Sequence, residues 1–98
     1  MRLIMSGYEY PVSMPRTPSA AAAHIGSHIS AARVGKHMTV DELAVASRID
    51  SSNIRSYESG RALMNVQSLV RIAEALDVEA GELLTGVTSE IFSRDRES

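Results

Sequence analysis

The chain has 98 residues, 22% of them charged, with a formal net charge of −2 and no cysteine. That length bounds the answer to one small domain, and the missing thiols exclude a disulfide framework and a thiolate metal site. No run is long or apolar enough to span a membrane and no secretory signal pattern opens the chain, so a cytoplasmic protein is expected. Three histidines and scattered carboxylates make no catalytic constellation, and an enzyme is not expected.

Residues 1–16 mix Met, Tyr, Pro, Ser and Gly without a period and read as a flexible N-terminal arm, disordered or ordered only by a partner. Met1 to Met5 could extend as a short strand, Tyr8 and Tyr10 read as part of a mobile tail, and Met14 is a second candidate start codon. The domain proper is expected over 17–86. Thr17 is a helix N-cap with Pro18 at the first helical position, and the alanines from Ala20 to Ala23 supply propensity. This helix should run to about Val34, bury Ile25, Ile29 and Ala32, and stop at Gly35. His24 and His28 stand four residues apart on it, a spacing that can hold a metal. With no third ligand apparent they read as surface histidines, and neither metal nor cofactor is expected.

The second helix opens on a capping box, Thr39 with Glu42 three residues later, each side chain satisfying the other's backbone amide. Val40, Leu43, Ala44 and Ser47 should face inward, with Ala44 small because the next helix crosses close by. That third helix is expected from an Asp50 N-cap to a left-handed Gly60. Stepping about 100° per residue puts Ile54, Tyr57 and Glu58 on one side and Ser52, Arg55, Ser56 and Ser59 on the other. Serine is a mediocre helix former that gives no support across a turn, so an outer face of serines around an arginine reads as functional.

A loop from Arg61 to Met64 leads to a fourth helix capped by Asn65, with an inward stripe of Val66, Leu69, Ile72, Ala73 and Leu76. A short fifth helix over Glu79 to Leu84 adds Leu83 and Leu84, and Gly86 ends it. Residues 87–98 form a C-terminal tail in which Ile91 and Phe92 are an apolar pair expected to pack on the core or across a dimer. Charge is polarised along the chain. Arg33, Lys36, Arg48, Arg55, Arg61 and Arg71 precede an acidic stretch of Glu74, Asp77, Glu79, Glu82 and Glu90, so one half can face phosphate while the other faces away.

Taken together, Ile25-Gly26, Ile29, Arg33, Leu43-Ala44, Ile54, Tyr57-Glu58, Gly60-Arg61, Leu69, Ile72-Ala73 and Leu76 resemble the lambda-repressor-like, or Cro/XRE-type, helix-turn-helix family from about Ile25 to Leu84. The resemblance implies a compact all-α, five-helix DNA-binding domain, a transcriptional regulator whose 51–59 helix enters the major groove. Ser51, Ser52, Arg55 and Ser56 match the base-reading positions, with Asn53 at the flank, and Arg55 alone can grip a guanine bidentately. Helix-start amides at Ser51 and Thr39, and the Arg61 side chain, would hold phosphates. Arg33 and Glu58 match an inward ion pair of structural role. The family also implies a homodimer joined through the region from Val78 onward on a near-palindromic operator of double-stranded DNA. The competing reading is a helix-turn-helix antitoxin that binds a toxin protein through its arm or tail while still binding its operator. Four positions depart from the pattern: Arg48 and Asp77 where glycine is usual, Val40 where a polar DNA contact is usual, and Met64 where proline is usual.

Overall fold

The computed structural model describes residues 19–97, so the 1–16 arm, the Met14 start and the Thr17–Pro18 helix start lie outside the described residues. The first helix, α1 (Ala20–Gly35), takes its cap from Ser19 instead, whose backbone is extended and whose Oγ accepts from the amide of Ala22 at 2.9 Å. The helix ends at Gly35, within a residue of the expected Val34, but the left-handed residue that turns the chain is His37, at φ 58°. Glycine is only one way to reach that conformation, and a non-glycine residue reaches it at some cost.

Helix α2 (Val40–Ser47) starts as its sequence dictates. The Thr39 amide donates to Glu42 Oε1 at 2.8 Å and the Glu42 amide to Thr39 Oγ1 at 3.0 Å. Leu43, Ala44 and Ser47 are buried, the Ser47 hydroxyl turning back to donate to the Leu43 carbonyl at 2.7 Å. Arg48 then carries the turn at φ 60°, the left-handed conformation for which glycine is usual. Helix α3 (Ser51–Ser59) follows, with Asp50 at the capping position but making no side-chain capping bond, and Gly60 at φ 83° closes it.

Asn65 caps α4 (Val66–Leu76) by accepting from the Ser68 amide at 2.8 Å. Leu69, Ile72, Ala73 and Leu76 are buried, but Val66, expected inward, is 76% exposed. It is the first residue of the helix, where no neighbouring turn exists to bring the stripe against the core. Asp77 holds the left-handed position after α4 at φ 59°. Helix α5 (Ala80–Leu83) buries Leu83, whereas Leu84 lies past the end of the helix and is exposed. Residues 89–97 form a sixth helix beyond the five expected, α6 (Ser89–Glu97). It packs against α1 and buries Ile91, with Phe92 half-buried.

The core is one cluster built around Ile25, Ile29, Leu43, Ile54, Ile72, Leu76 and Leu83. Fully burying an aliphatic side chain of this kind stabilises by about 1.5–3 kcal/mol. The major seams are α1 on α3 and α2 on α4. No helix among the described residues is long and apolar enough to cross a membrane.

Candidate nucleic-acid interface

Two glycines decide how close α1 comes to α3. A Cβ at Gly26 would overlap the Tyr57 carbonyl oxygen and sit 2.7 Å from that of Glu58, and one at Gly60 would lie 2.8 Å from the Ala23 Cα. The two helices therefore touch backbone to backbone, and the inner side of α3 is held along its length. Ile54 is fully buried, and Glu58 is only 11% exposed.

Glu58 meets Arg33 in a two-pronged pair. Arg33 Nε donates to Oε2 at 2.7 Å and NH2 to Oε1 at 3.0 Å, while NH1 donates to the Met38 carbonyl at 2.8 Å. Its hydrogen bonds to the Glu58 carboxylate raise the Arg33 pKa above the ordinary arginine value, against the opposing effect of burial. A raised cationic pKa contributes stability that is complete below the unfolded value and is lost only as pH climbs through the higher folded value, so this guanidinium adds no pH dependence near neutrality. The pair clamps α1, the turn before α2, and α3 into one body, with the geometry in which an arginine fork binds carboxylate most strongly.

With its inner side fixed, α3 presents the opposite side to solvent. Ser52, Asn53, Arg55 and Ser59 are exposed and Ser56 is half-buried. Ser52, Arg55, Ser56, Ser59 and Arg61 line one groove of about 390 Å³. Hydroxyls that donate or accept, together with two guanidinium groups, suit a surface of phosphates and base edges. A second groove is lined by Asp41, Arg48, Asp50 and Ser51 with Ala44, Val45 and Ile49. It adjoins the first, since its Asp41 meets Arg55, and Asn53 lines neither. Thr39 is occupied by the capping box, which uses both its amide and its hydroxyl. Because Asp50 makes no capping bond, its side chain leaves the first amides of α3 uncapped.

One partner escaped the sequence reading. Arg55 NH2 lies 3.6 Å from Asp41 Oδ1, in a pair whose side chains are 60% and 76% exposed. Asp41 and Arg55 are 14 positions apart on different helices, so neither helical periodicity nor local spacing could have joined them. His24 and His28 are also drawn into a shared contact. Their Nε2 atoms lie 2.7 and 3.0 Å from the Thr85 carbonyl oxygen, which can only accept, so each ring donates from Nε2 and ties the α5–α6 connection to α1. Among the described residues no group of three or more His, Cys, Asp or Glu side chains is placed to hold a metal.

A clamped helix presenting a polar outer face, preceded by a short helix and a tight turn, defines a helix-turn-helix domain. The family model described as Helix-turn-helix matches residues 29–83, more than half of the chain, and the chain belongs to that family. No curated protein matches it significantly. Among solved structures it is similar to the restriction-modification controller protein C.AhdI from Aeromonas hydrophila, with 27% identity, a TM-score of 0.62, and 63% of this chain and 94% of that chain covered. A second restriction-modification controller protein, in its wild-type form, is 25% identical with a TM-score of 0.64, over 76% of this chain and 97% of that one. The clp gene regulator ClgR from Corynebacterium glutamicum shares the fold at 21% identity and a TM-score of 0.67, over 83% of this chain and 86% of that one.

Proposed function

We propose that this chain is a sequence-specific DNA-binding transcriptional regulator of the lambda-repressor-like class, non-enzymatic, that places α3 in the major groove of a near-palindromic operator. The observation that carries the reading is the division of α3 between a side held by backbone contact with α1 and the Arg33–Glu58 pair, and a side of Ser52, Arg55, Ser56 and Ser59 left to solvent. The similarity to restriction-modification controller proteins over most of their length supports it. In this reading Arg55 reads a guanine, Ser51, Ser52, Asn53 and Ser56 contact base edges or adjacent phosphates, and Arg61 and the amide-rich starts of α3 and α2 hold the backbone. Thr39 then serves by capping α2 rather than by touching phosphate itself. The regulator acts as a homodimer, and Leu84, exposed in the region from Val78 onward, is available for the dimer contact.

The test is selection of binding sites from a pool of random duplexes by the full chain, followed by sequencing. An enriched motif with two inverted half-sites about one helical turn apart, ~34–36 Å, is expected. A pool that stays unenriched would overturn the regulator reading. Deleting residues 1–16 separates the antitoxin alternative: a pure regulator keeps its affinity for the selected duplex and loses no protein partner, whereas an antitoxin loses neutralisation of its toxin.

A further inference from the structure

Asp41 lies beside the side chain to which base recognition is assigned, and its position needs a reason. An acidic residue in the first turn of a helix is stabilised by the helix dipole, but Glu42 already supplies that charge and closes the capping box. Asp41 instead points across to α3, where Oδ1 meets Arg55 NH2 at 3.6 Å. A carboxylate at the edge of a DNA-facing surface repels phosphate, and in a chain of net charge −2 it is a further obstacle to binding any duplex.

From this contact we infer that Asp41 is a positioning residue for Arg55 that raises sequence discrimination, an inference resting on the DNA-binding reading above. The guanidinium has five N–H donors in a rigid fork, and Asp41 contacts one terminal nitrogen, leaving donors enough for a bidentate grip on a guanine edge. Pairing in the free protein confines a long, otherwise mobile side chain, so part of the ordering cost is met before DNA arrives. The same carboxylate neutralises Arg55 toward a phosphate that approaches without the right base. It therefore acts in opposite directions on the two kinds of complex. With the charge of Asp41 present, a duplex offering guanine at the right place finds the arginine oriented, and one that does not finds it already partnered.

The experiment measures affinity by fluorescence anisotropy for the duplex selected by the wild-type chain and for a scrambled duplex of equal length, at two salt concentrations. The proteins are the wild type, Asp41→Asn, Asp41→Glu, Arg55→Ala and the Asp41→Asn/Arg55→Ala double variant, each checked for folding by circular dichroism. Asp41→Asn should weaken binding to the selected duplex about two- to fivefold, the range expected of an exposed ion pair, and strengthen binding to the scrambled one about twofold, with a steeper salt dependence. Asp41→Glu should restore part of the discrimination. In the Arg55→Ala background Asp41→Asn should leave the ratio between the duplexes unchanged, because its effect on discrimination runs through Arg55.

Two results would overturn the inference alone. In one, Asp41→Asn moves both duplexes in the same direction by the same factor, as simple removal of a repelling charge would. In the other, the change in ratio persists without Arg55, which would make the role one of dipole or fold. Failure of the wild-type chain to select any duplex would instead remove the DNA-binding reading on which the inference stands.

Discussion

The two sides of α3 are built on opposite plans. The inner side is crossed by α1 so closely that Gly26 and Gly60 have no room for a methyl group, and its one charged residue, Glu58, is held by a two-pronged arginine. The outer side carries the exposed Ser52 and Ser59, the half-buried Ser56 and one arginine held by a single contact of 3.6 Å to a solvent-exposed carboxylate. Buried pairs and close-packed backbones lose several kcal/mol when disturbed, whereas exposed pairs contribute about 0–1 kcal/mol. A helix that must keep its orientation yet exchange its outer contacts for those of a ligand needs this difference in stiffness across its own width.

The comparison is broken most severely from inside. Glu58→Ala leaves the Arg33 guanidinium largely buried without its carboxylate and should cost about 3–5 kcal/mol in urea unfolding. Replacing both partners, as Arg33→Met with Glu58→Leu, should recover much of that loss, and no recovery would mean that the pair does more than satisfy its own charges. Gly26→Ala should come next, at about 1–3 kcal/mol, because the obstacle is backbone that must move as a unit. An unfolding midpoint equal to wild type would show that α1 and α3 are not in backbone contact in solution.

Smaller effects sharpen the contrast. Arg48→Gly relieves a left-handed non-glycine residue in the turn between α2 and α3 and should raise stability by about 0.5–1 kcal/mol, readable as a higher thermal midpoint. On the outer side Arg55→Ala should change stability by less than about 0.5 kcal/mol, yet lose about 1–3 kcal/mol of discrimination at one base position of the selected duplex. Ser52→Ala and Ser59→Ala should slightly stabilise the fold, by a few tenths of a kcal/mol, since alanine is the better helix former. Marked destabilisation by any of these three would mean that the outer side is part of the packing after all.

The helices themselves were legible because their signals are local. The Thr39–Glu42 box, the Asn65 cap and the 3.6-residue stripe of Leu69, Ile72, Ala73 and Leu76 each lie within a few turns of one another, and the structure places them as read. The division of α3 into Ile54, Tyr57 and Glu58 against Ser52, Arg55, Ser56 and Ser59 followed from the same periodicity. Where local signals compete, reading failed. Gly35 ends its helix but His37, not the glycine, makes the left-handed turn, and Val66 and Leu84 were apolar at helix ends where the core does not reach. Ile91 and Phe92 suggested packing without disclosing that a whole helix, α6, would bring it about on α1.

What the sequence determined by itself was the first five helices, the polarity of their faces and the family pattern, all of which depend on residues near one another along the chain. Only the tertiary structure decided that Gly26 and Gly60 are closed to any side chain, that His24 and His28 meet on the Thr85 carbonyl, and that Asp41 stands against Arg55. Those contacts join separate elements. Their distances follow from how closely the helices pack, and packing is settled by the summed burial of the whole core rather than by any segment's own pattern.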